Sequence, residues 1–444
     1  MARSAVFTVE DAKAAFNLFC CVYGIGTLGM PGNFSRAGPV IAVFAMAFMA
    51  FANTYSSVAI CRVMLIAPRS VKTYGDLGEW CMGKTGRYLS VVSQMGNCLL
   101  VPCVFLVLGG SLLDGLFPGA FSATTWIILM ALACLPVCLV PTLKEGAGAA
   151  FAGCMGTLVA DVIGVAVVMH GMRGHPSVPT PDLNFKQVAG AFGNLALAYG
   201  AGIVIPALQR QHNTGLTTLG FASDWGMVVL AYLFMQLHIT IAFSVILNPA
   251  FYIAERIVLG MHKPTVADVE NNLLSYADAA TPGDGAERSE KESRASKRSF
   301  ISVADNENVH LGEPEEEAAE YRGVNTIKYV ILRIVIIIIL VIASVLLKDH
   351  FSDLADFVGA SCITVNSILL PIVFLLKKKW DSLPMWEKLP ALTVVVVCFC
   401  LGCYVTYTSG KNLFAPSDDD TAFPFCAPEF ENTVYYNYTA AHEN

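Results

Sequence analysis

Long apolar runs dominate the chain, and short polar segments separate them. An α-helix needs about 20 apolar residues to cross the hydrocarbon core of a bilayer. Ten runs reach or approach this length, so the pattern predicts an all-α integral membrane bundle of about ten transmembrane helices. The predicted helices cover residues 12–36, 38–66, 88–117, 124–141, 148–172, 186–208, 226–258, 326–348, 354–376 and 389–409.

The composition supports a membrane protein and excludes several other classes. With 55% hydrophobic and 14% charged residues, the chain cannot present a water-facing surface around a soluble core. Most of the acidic excess behind the net charge of −7 lies in one loop and the C-terminal tail, so a nucleic-acid partner is not indicated. Histidines, cysteines and carboxylates show no metal-ligand spacing, and no metal or organic cofactor is predicted. The predicted partners are the bilayer and a small molecule, while protein partners stay unknown.

Polar segments divide the chain into a helical bundle and its appendages. The bundle covers 12–409, preceded by a short cytoplasmic N-terminus at 1–11 and followed by a tail at 410–444. Residues 262–323 are rich in charge and poor in apolar groups, which predicts a disordered cytoplasmic loop. The first run lacks a basic n-region and a cleavage site, so we interpret it as a retained helix and not a signal peptide.

Two similar motifs interrupt the apolar runs. "YGIGTLGMP" (23–31) and "YGAGIVIP" (199–206) place glycines and a proline inside predicted helices, where both residue types weaken helical structure. In lipid, a freed backbone group needs another partner or a water-lined cavity. Five predicted helices begin from the first break to just before the second repeat, and because five is odd the second copy is inverted, which is typical of secondary transporters. The first repeat is predicted over 12–172 and the second over 186–376, with 389–409 as the last helix. Alternatively, the glycines only allow close helix packing.

An unwound helix exposes carbonyl groups at one broken end and N–H groups at the other, which suits a zwitterion. No Asp, Glu, Lys or Arg lies in the middle of the broken helices, so neutral amino acids are the expected substrates. The predicted helix-break prolines are Pro31 and Pro206. The predicted substrate-binding residues are Cys21, Val22, Gly24, Ile25, Gly26, Thr27, Leu28, Tyr199, Gly200, Ala201 and Gly202.

Several motifs together resemble the amino acid/auxin permease family. They are "GIGTLGMP" followed by "FSRAG", the "TYGDLGEW" loop, "LHITIAFSVILNPAFYIAERI" and "FVGASCITVNSILLPIVFLL". The resemblance extends from about Ala12 to Tyr404. It implies a LeuT-like five-plus-five inverted-repeat fold, usually with eleven helices, a cytoplasmic N-terminus and an outside C-terminus. It also implies amino acid symport with protons or sodium, in the plasma membrane or a vacuolar or lysosomal membrane.

The coupling ion has three candidate residues. The sodium-dependent branch of the family usually has Asn four residues before the first unwound glycine, where this chain has Cys20, which counts against sodium. Asp161 is a carboxyl group near mid-membrane in the fifth predicted helix, where it could take up and release a proton. Alternatively, it is only hydrogen-bonded to a neighbouring helix. His238 is a candidate relay or, more simply, an interhelical tie.

Lysine and arginine positions indicate a helix missing relative to the family. The positive-inside rule places the N-terminus and the loops containing Arg69, Lys84 and Arg87 in the cytoplasm. Ten helices would then put Lys377–Lys379 outside, whereas eleven would put them inside and the glycosylation sequon at Asn437 outside. We therefore expect that a seventh helix has been lost near 212–214, with 209–225 as a loop or partial helix. The alternative is that 214–235 forms a poor membrane-crossing helix.

Two other functional classes are compatible with parts of the pattern. A membrane enzyme would need a set of polar catalytic residues, and none is found, so no enzyme activity is predicted. A channel would suit the composition, but inverted repeats with broken helices favour a carrier.

Overall fold

The computed structural model describes residues 26–68, 71, 73–117, 119–139, 147–171, 183–199, 226–261, 321 and 323–414. All regular secondary structure in these ranges is helical. The α-helices are α1 Gly26–Ile66, α2 Tyr74–Met82, α3 Lys84–Leu116, α4 Ala123–Leu139, α5 Ala147–Gly171, α6 Phe185–Tyr199, α7 Gly226–Ala254, α8 Val324–Leu347, α9 Phe351–Val358, α10 Leu370–Lys379 and α11 Met385–Leu413. A π-helical stretch, Gly359–Leu369, joins α9 to α10, and another, Glu255–Leu259, extends α7.

The predicted fold class, an all-helical integral membrane bundle, is confirmed. Within the described residues, five segments are long and apolar enough to cross a bilayer. They are Arg36–Ile66, Lys84–Leu116, Leu233–Leu259, Asn325–Ser382 and Met385–Leu413. Two shorter apolar helices, Ala123–Leu139 and Met155–Val167, add to them. The last helix, α11, extends four residues beyond the predicted 389–409 at each end.

Helix α1 consists of two halves joined at Gly38. This residue has φ 72° and ψ 159°, angles that glycine adopts readily and that no helix contains. Pro39 follows and fixes the start of the second half. The kink coincides with the gap between the predicted helices 12–36 and 38–66.

Helix α2 was not predicted from the sequence. It is nine residues long, too short to cross a membrane. The Thr73 hydroxyl accepts a hydrogen bond from the Asp76 N–H (3.1 Å), and the Asp76 carboxylate accepts one from the Thr73 N–H (3.1 Å). This reciprocal capping box starts the helix, and the Thr-x-x-Asp spacing was its sequence signal.

Contacts between helix ends define the two faces of the bundle. We call one the Asp356 face, where Asp356 pairs with Arg36 and Asp353 accepts a hydrogen bond from Asn412 (3.0 Å). We call the other the lysine face, where Arg62 pairs with Glu387 and Lys378 lies over the Trp80 ring. Arg36 lies beside the Gly38 kink and Arg62 near the end of α1, so the second half of α1 connects the two faces.

Helices α6 and α7 both begin at the Asp356 face. For α6, Phe185 packs edge-on against Tyr404, which lies in the half of α11 that leads to Asn412. The direction of α7 follows from that of α4. Near the start of α4, the Trp126 indole N–H donates to Asp114 close to the end of α3, and α4 runs from there away from the Asp356 face. Gln236 contacts Met130, and Ser244 donates to the Val137 carbonyl (3.1 Å), so α7 runs parallel to α4.

The buried apolar side chains form two large clusters. The first joins α3, α4, α5, α7, α8 and α9 around residues such as Phe105, Met130 and Phe243. The second joins the second half of α1 with α2, α6, α10 and α11 around residues such as Ile60 and Phe374. Residues 354–363 contribute mainly to the first cluster and 368–376 to the second. We call the continuous helical segment Phe351–Lys379 the α9–α10 rod. It contributes to both clusters, and its π-helical stretch lies between the two contributions.

A fully buried ion pair ties α7 to α8 near the lysine face. Arg333 donates to Glu255 (Nε to Oε1, 2.7 Å) and to the Cys138 carbonyl at the end of α4 (2.8 Å). The Tyr321 hydroxyl donates to the other Glu255 oxygen (2.9 Å). The guanidinium also lies within cation–π distance of three rings, those of Phe251, Tyr321 and Tyr329.

Candidate functional site

The first half of α1 packs antiparallel against α6, and the described parts of both helices end at a similar depth. Phe34 and Ala37 of α1 pack with Val188 and Ala191 of α6. Gly26 lies ten residues before Arg36, and Tyr199 lies nine residues after Gly190, which contacts Arg36. At 1.5 Å per residue, both ends lie about 14–15 Å from the Asp356 face, near the middle of a hydrocarbon core about 30 Å thick.

The Arg36–Asp356 ion pair lies at the Asp356 face, about three helical turns from Gly26 and Tyr199. It joins α1 to α9 through two contacts, of which Arg36 Nη1 to Asp356 Oδ1 measures 3.2 Å. The Asp356 side chain is 3% exposed and that of Arg36 27%. Paired nitrogen and oxygen atoms give this bond a defined geometry, so it fixes the spacing of the two helices.

Glycines let α6 approach this ion pair at backbone distance. A Cβ atom at Gly193 would lie 2.5 Å from the Asp356 carbonyl oxygen and 2.9 Å from its Cα. At Gly190, it would lie 2.8 Å from Asp356 Oδ2. Gly359 in turn faces the Gly193 carbonyl. Helices α1, α6 and α9 therefore meet at one point, which only residues without a side chain allow.

We expect Gly193→Ala to destabilise the folded protein by about 1–3 kcal/mol, because the added methyl group meets backbone atoms that cannot move aside. Thermal melting of the purified protein in detergent measures the change. Gly32→Ala is the matched control, since a Cβ atom at Gly32 meets no atom within 4 Å. Equal melting temperatures for the two variants would contradict the close packing of α6 on α9.

The predicted substrate-binding residues fall partly within the described ranges. Gly26, Thr27 and Leu28 form the first turn of α1, and half-buried Tyr199 ends α6. Their substrate-binding role stays a prediction. The other predicted site residues lie outside the described residues, as do the 209–225 segment, most of the 262–323 loop and the tail after Phe414. These site residues are Cys20, Cys21, Val22, Gly24, Ile25, Gly200, Ala201, Gly202, Pro206 and Asn437.

Pro31 does not break the helix, contrary to the prediction from its position. The chain stays helical through Pro31, and the non-helical angles within α1 are at Gly38. Pro31 lies five residues after the start of the described part of α1, and its missing N–H leaves the Thr27 carbonyl without its usual helical donor.

The structure brings two coupling-ion candidates, Asp161 and His238, to the interface of α5 and α7. His238 is buried, and its Nδ1 lies 2.9 Å from the Thr157 hydroxyl. Asp161 follows Thr157 by four residues, so both lie on one face of α5. The Asp161 side chain is half-buried. Neither residue lies on α1 or α6, so any coupling to the substrate passes through the packing between helices.

Sequence reasoning missed the Arg36–Asp356 pair. Both residues lie at the ends of predicted helices, and an ionisable residue at membrane depth was a usable signal. Their pairing was not readable, because 320 positions separate them. The same holds for Glu255 and Arg333, which are 78 positions apart.

Comparison with known proteins identifies related sequences. The family model described as transmembrane amino acid transporter protein matches residues 11–214 and 212–414. Three proteins of Arabidopsis thaliana are similar to parts of the chain. Amino acid transporter AVT1I is 28% identical over 258 residues, 52% of this chain and 61% of its own length. Amino acid transporter ANT1 is 31% identical over 129 residues (26% and 28%), and amino acid transporter AVT3A is 29% identical over 104 residues (20% and 23%). The alignments therefore span less than two thirds of each relative.

Proposed function

Because the chain belongs to the transmembrane amino acid transporter family, we propose that it is a secondary active transporter that moves neutral amino acids across a membrane by alternating access. The family and the relatives' names point to a transporter and not an enzyme. The chain is a multi-pass integral membrane protein. Protons are the proposed coupling ion, and symport is the proposed mode.

The observation that carries this proposal is that the described parts of α1 and α6 end together near mid-membrane, next to the two predicted breaks. The described part of α1 begins at Gly26 and that of α6 ends at Tyr199, at similar depth on antiparallel helices. We propose that both helices are interrupted there, as the glycine motifs predict. A helix N-terminus carries partial positive charge and a C-terminus partial negative charge. A substrate carboxylate would bind the N–H groups of Gly26, Thr27 and Leu28, and its ammonium group would bind carbonyls near Tyr199.

The side chains around the two breaks favour a neutral substrate. Residues 20–31 and 199–206 contain no Asp, Glu, Lys or Arg. A charged substrate side chain would lose its hydration there without gaining an opposite charge, which is costly in a membrane interior. A neutral amino acid needs compensation only for its ammonium and carboxylate groups.

The two hydrophobic clusters suggest how access alternates. Each cluster is a packed body, and the α9–α10 rod is shared between them. The Arg36–Asp356 pair joins α1 to α9 between the proposed site and the Asp356 face. We propose that this pair closes the Asp356 side and must separate before substrate can exchange there.

Counterflow tests the proposal against its main alternative, a channel-like protein. Proteoliposomes preloaded with one unlabelled neutral amino acid should accumulate the labelled form faster than proteoliposomes without it. The reason is that a carrier reorients faster with bound substrate than without it. A channel gives no such acceleration. Screening the amino acids by thermal stabilisation of the purified protein identifies the substrate, and absence of binding by any neutral amino acid would refute the proposed site.

The proton-coupling proposal predicts that Asp161→Asn uncouples transport. An amide cannot take up and release a proton, so uptake should lose its dependence on a pH gradient while exchange continues. Uptake and exchange are measured in the same proteoliposomes, with Asp353→Asn at the Asp356 face as the matched control. Unaltered acid-stimulated uptake by the variant would remove Asp161 from the mechanism, and a strict sodium requirement would remove proton coupling.

We further propose that the chain lacks one helix of its family between α6 and α7 and transports weakly for that reason. The two family matches overlap only at 212–214, the predicted position of the deletion. Inserting the corresponding helix of a relative between His212 and Thr214 should raise uptake at least tenfold. Robust uptake by the 444-residue chain, with Asn437 glycosylated, would contradict the deletion. If the chain binds a neutral amino acid but does not transport it, the deletion is supported and the proposed binding site is unaffected.

A further inference from the structure

Four lysines surround the tight turn between α10 and α11 on the lysine face. Lys377, Lys378 and Lys379 form the last turn of α10, and Lys388 follows in the first turn of α11. We call residues 377–388 the lysine hairpin. Its sequence, "KKKWDSLPMWEK", contains two of the five tryptophans of the chain.

Aromatic rings hold two of these lysines in place. Lys378 Nζ lies 3.7 Å from the centroid of the Trp80 ring of α2, and Lys388 Nζ lies 4.8 Å from that of Trp380. Such contacts fix an ammonium group without neutralising its charge. Burial raises the pKa of the Cys81 thiol in α2 to about 11, although the ammonium groups of Lys378 and Lys377 act in the opposite direction. The end of α2 therefore borders the hairpin.

The charge of the lysines is not balanced by neighbouring acids. The arginines on this face have carboxylate partners, Arg62 with Glu387 and Arg87 with Asp76 and Glu79. Among the described residues, none of the four hairpin lysines has a carboxylate within ion-pair distance. Asp381 is the one hairpin acid not committed to an arginine. Within the described residues, the lysine hairpin thus keeps a positive charge that neighbouring acids do not balance.

Large apolar side chains flank this positive patch. Trp380 is 47% exposed and Trp386 76% exposed, and Met385 and Leu389 are also exposed. Tryptophan prefers the level of lipid head groups, where its ring is apolar and its N–H can be hydrated. The hairpin therefore presents ammonium groups and interfacial apolar groups side by side.

We propose that the lysine hairpin, together with Trp80, is a binding site for anionic phospholipid head groups of the adjacent leaflet. The ammonium groups would bind the phosphate and carboxylate oxygens of a head group, and the tryptophan and methionine side chains would contact the upper acyl chains. A soluble anion would match the lysines but not the exposed apolar residues. The positive-inside rule assigns this face to the cytoplasm, whose leaflet carries the anionic lipids.

Tryptophan quenching by brominated lipids tests this site. The full chain, in phosphatidylcholine micelles, is titrated with phosphatidylserine carrying brominated acyl chains, and separately with phosphatidylcholine carrying the same chains. Wild-type fluorescence should be quenched at lower concentrations of the phosphatidylserine, and the difference should shrink as salt rises. The triple variant K377Q/K378Q/K379Q should lose the difference, with about fivefold weaker phosphatidylserine binding for each lysine removed.

Two control variants separate head-group binding from folding and from general charge. K377R/K378R/K379R should keep the preference, and K348Q/K411Q at the opposite face should leave it unchanged. Thermal melting in phosphatidylcholine micelles shows that each variant is folded, and K388Q provides a milder test. Displacement of the brominated phosphatidylserine by inorganic phosphate, but not by chloride at equal ionic strength, would assign the site to a soluble anion and overturn the proposal. So would equal quenching by the two lipids, or a preference that survives in the triple glutamine variant.

Discussion

Replacing Arg333 with methionine is expected to destabilise the folded protein by about 3–5 kcal/mol, the cost of leaving one buried charge without its partner. The Arg333 side chain is 1% exposed and that of Glu255 0%. The substitution removes the Glu255 ion pair and the hydrogen bond to the Cys138 carbonyl together. Thermal or denaturant unfolding in detergent measures the loss.

Two comparisons make this prediction specific. Arg62→Met removes an ion pair whose arginine is 44% exposed, and it should cost only about 0–1 kcal/mol. The double variant Arg333→Met/Glu255→Gln should recover part of the lost stability, because glutamine leaves no buried charge. If Arg333→Met melts like the wild type, the pair does not hold α7 and α8 together.

Gly26→Leu is expected to abolish amino acid binding while leaving the protein inserted and folded. Gly26 begins the described part of α1, where the proposed substrate would approach the backbone, and a leucine side chain would occupy that space. A ligand at about 100 times its Kd stabilises a folded protein by about 2.7 kcal/mol. The variant should lose this stabilisation, which is measured by thermal melting with and without a neutral amino acid.

Gly32→Leu is the matched control, since it adds the same side chain six residues later on the same helix, at an exposed position where an added Cβ atom meets nothing within 4 Å. It should keep ligand-dependent stabilisation. If a neutral amino acid stabilises Gly26→Leu as strongly as the wild type, the binding site lies elsewhere.

The local sequence predicted much of the helical structure, for a physical reason. Each membrane-crossing helix needs a long apolar run, so its approximate limits are visible in composition alone. The predicted 124–141 and 148–172 correspond to α4 at Ala123–Leu139 and α5 at Ala147–Gly171. The predicted boundary between 12–36 and 38–66 lies beside the Gly38 kink. Helix α2 was missed because it is short and stabilised by a cap and not by hydrophobicity.

The candidate site was predictable only in part. The motifs "YGIGTLGMP" and "YGAGIVIP" drew attention to Gly26 and Tyr199, since backbone breaks in lipid are conspicuous. The proline of the first motif misled, because a proline in the second turn of a helix need not end it. The ion pair above the site was invisible, since nothing in the local pattern links Arg36 to Asp356.

By itself, the sequence determined that this protein lies in a membrane and where most of its long helices run, because both follow from residues adjacent in the chain. Only the tertiary structure decided which charges neutralise one another, which glycines carry helix contacts and which lysines have no carboxylate partner in the described part of the chain. Those outcomes depend on distances between residues as far as 320 positions apart. A buried arginine and an exposed one look the same in a sequence, and only packing distinguishes Arg333, enclosed by Glu255 and three rings, from the uncompensated lysines beside Trp80.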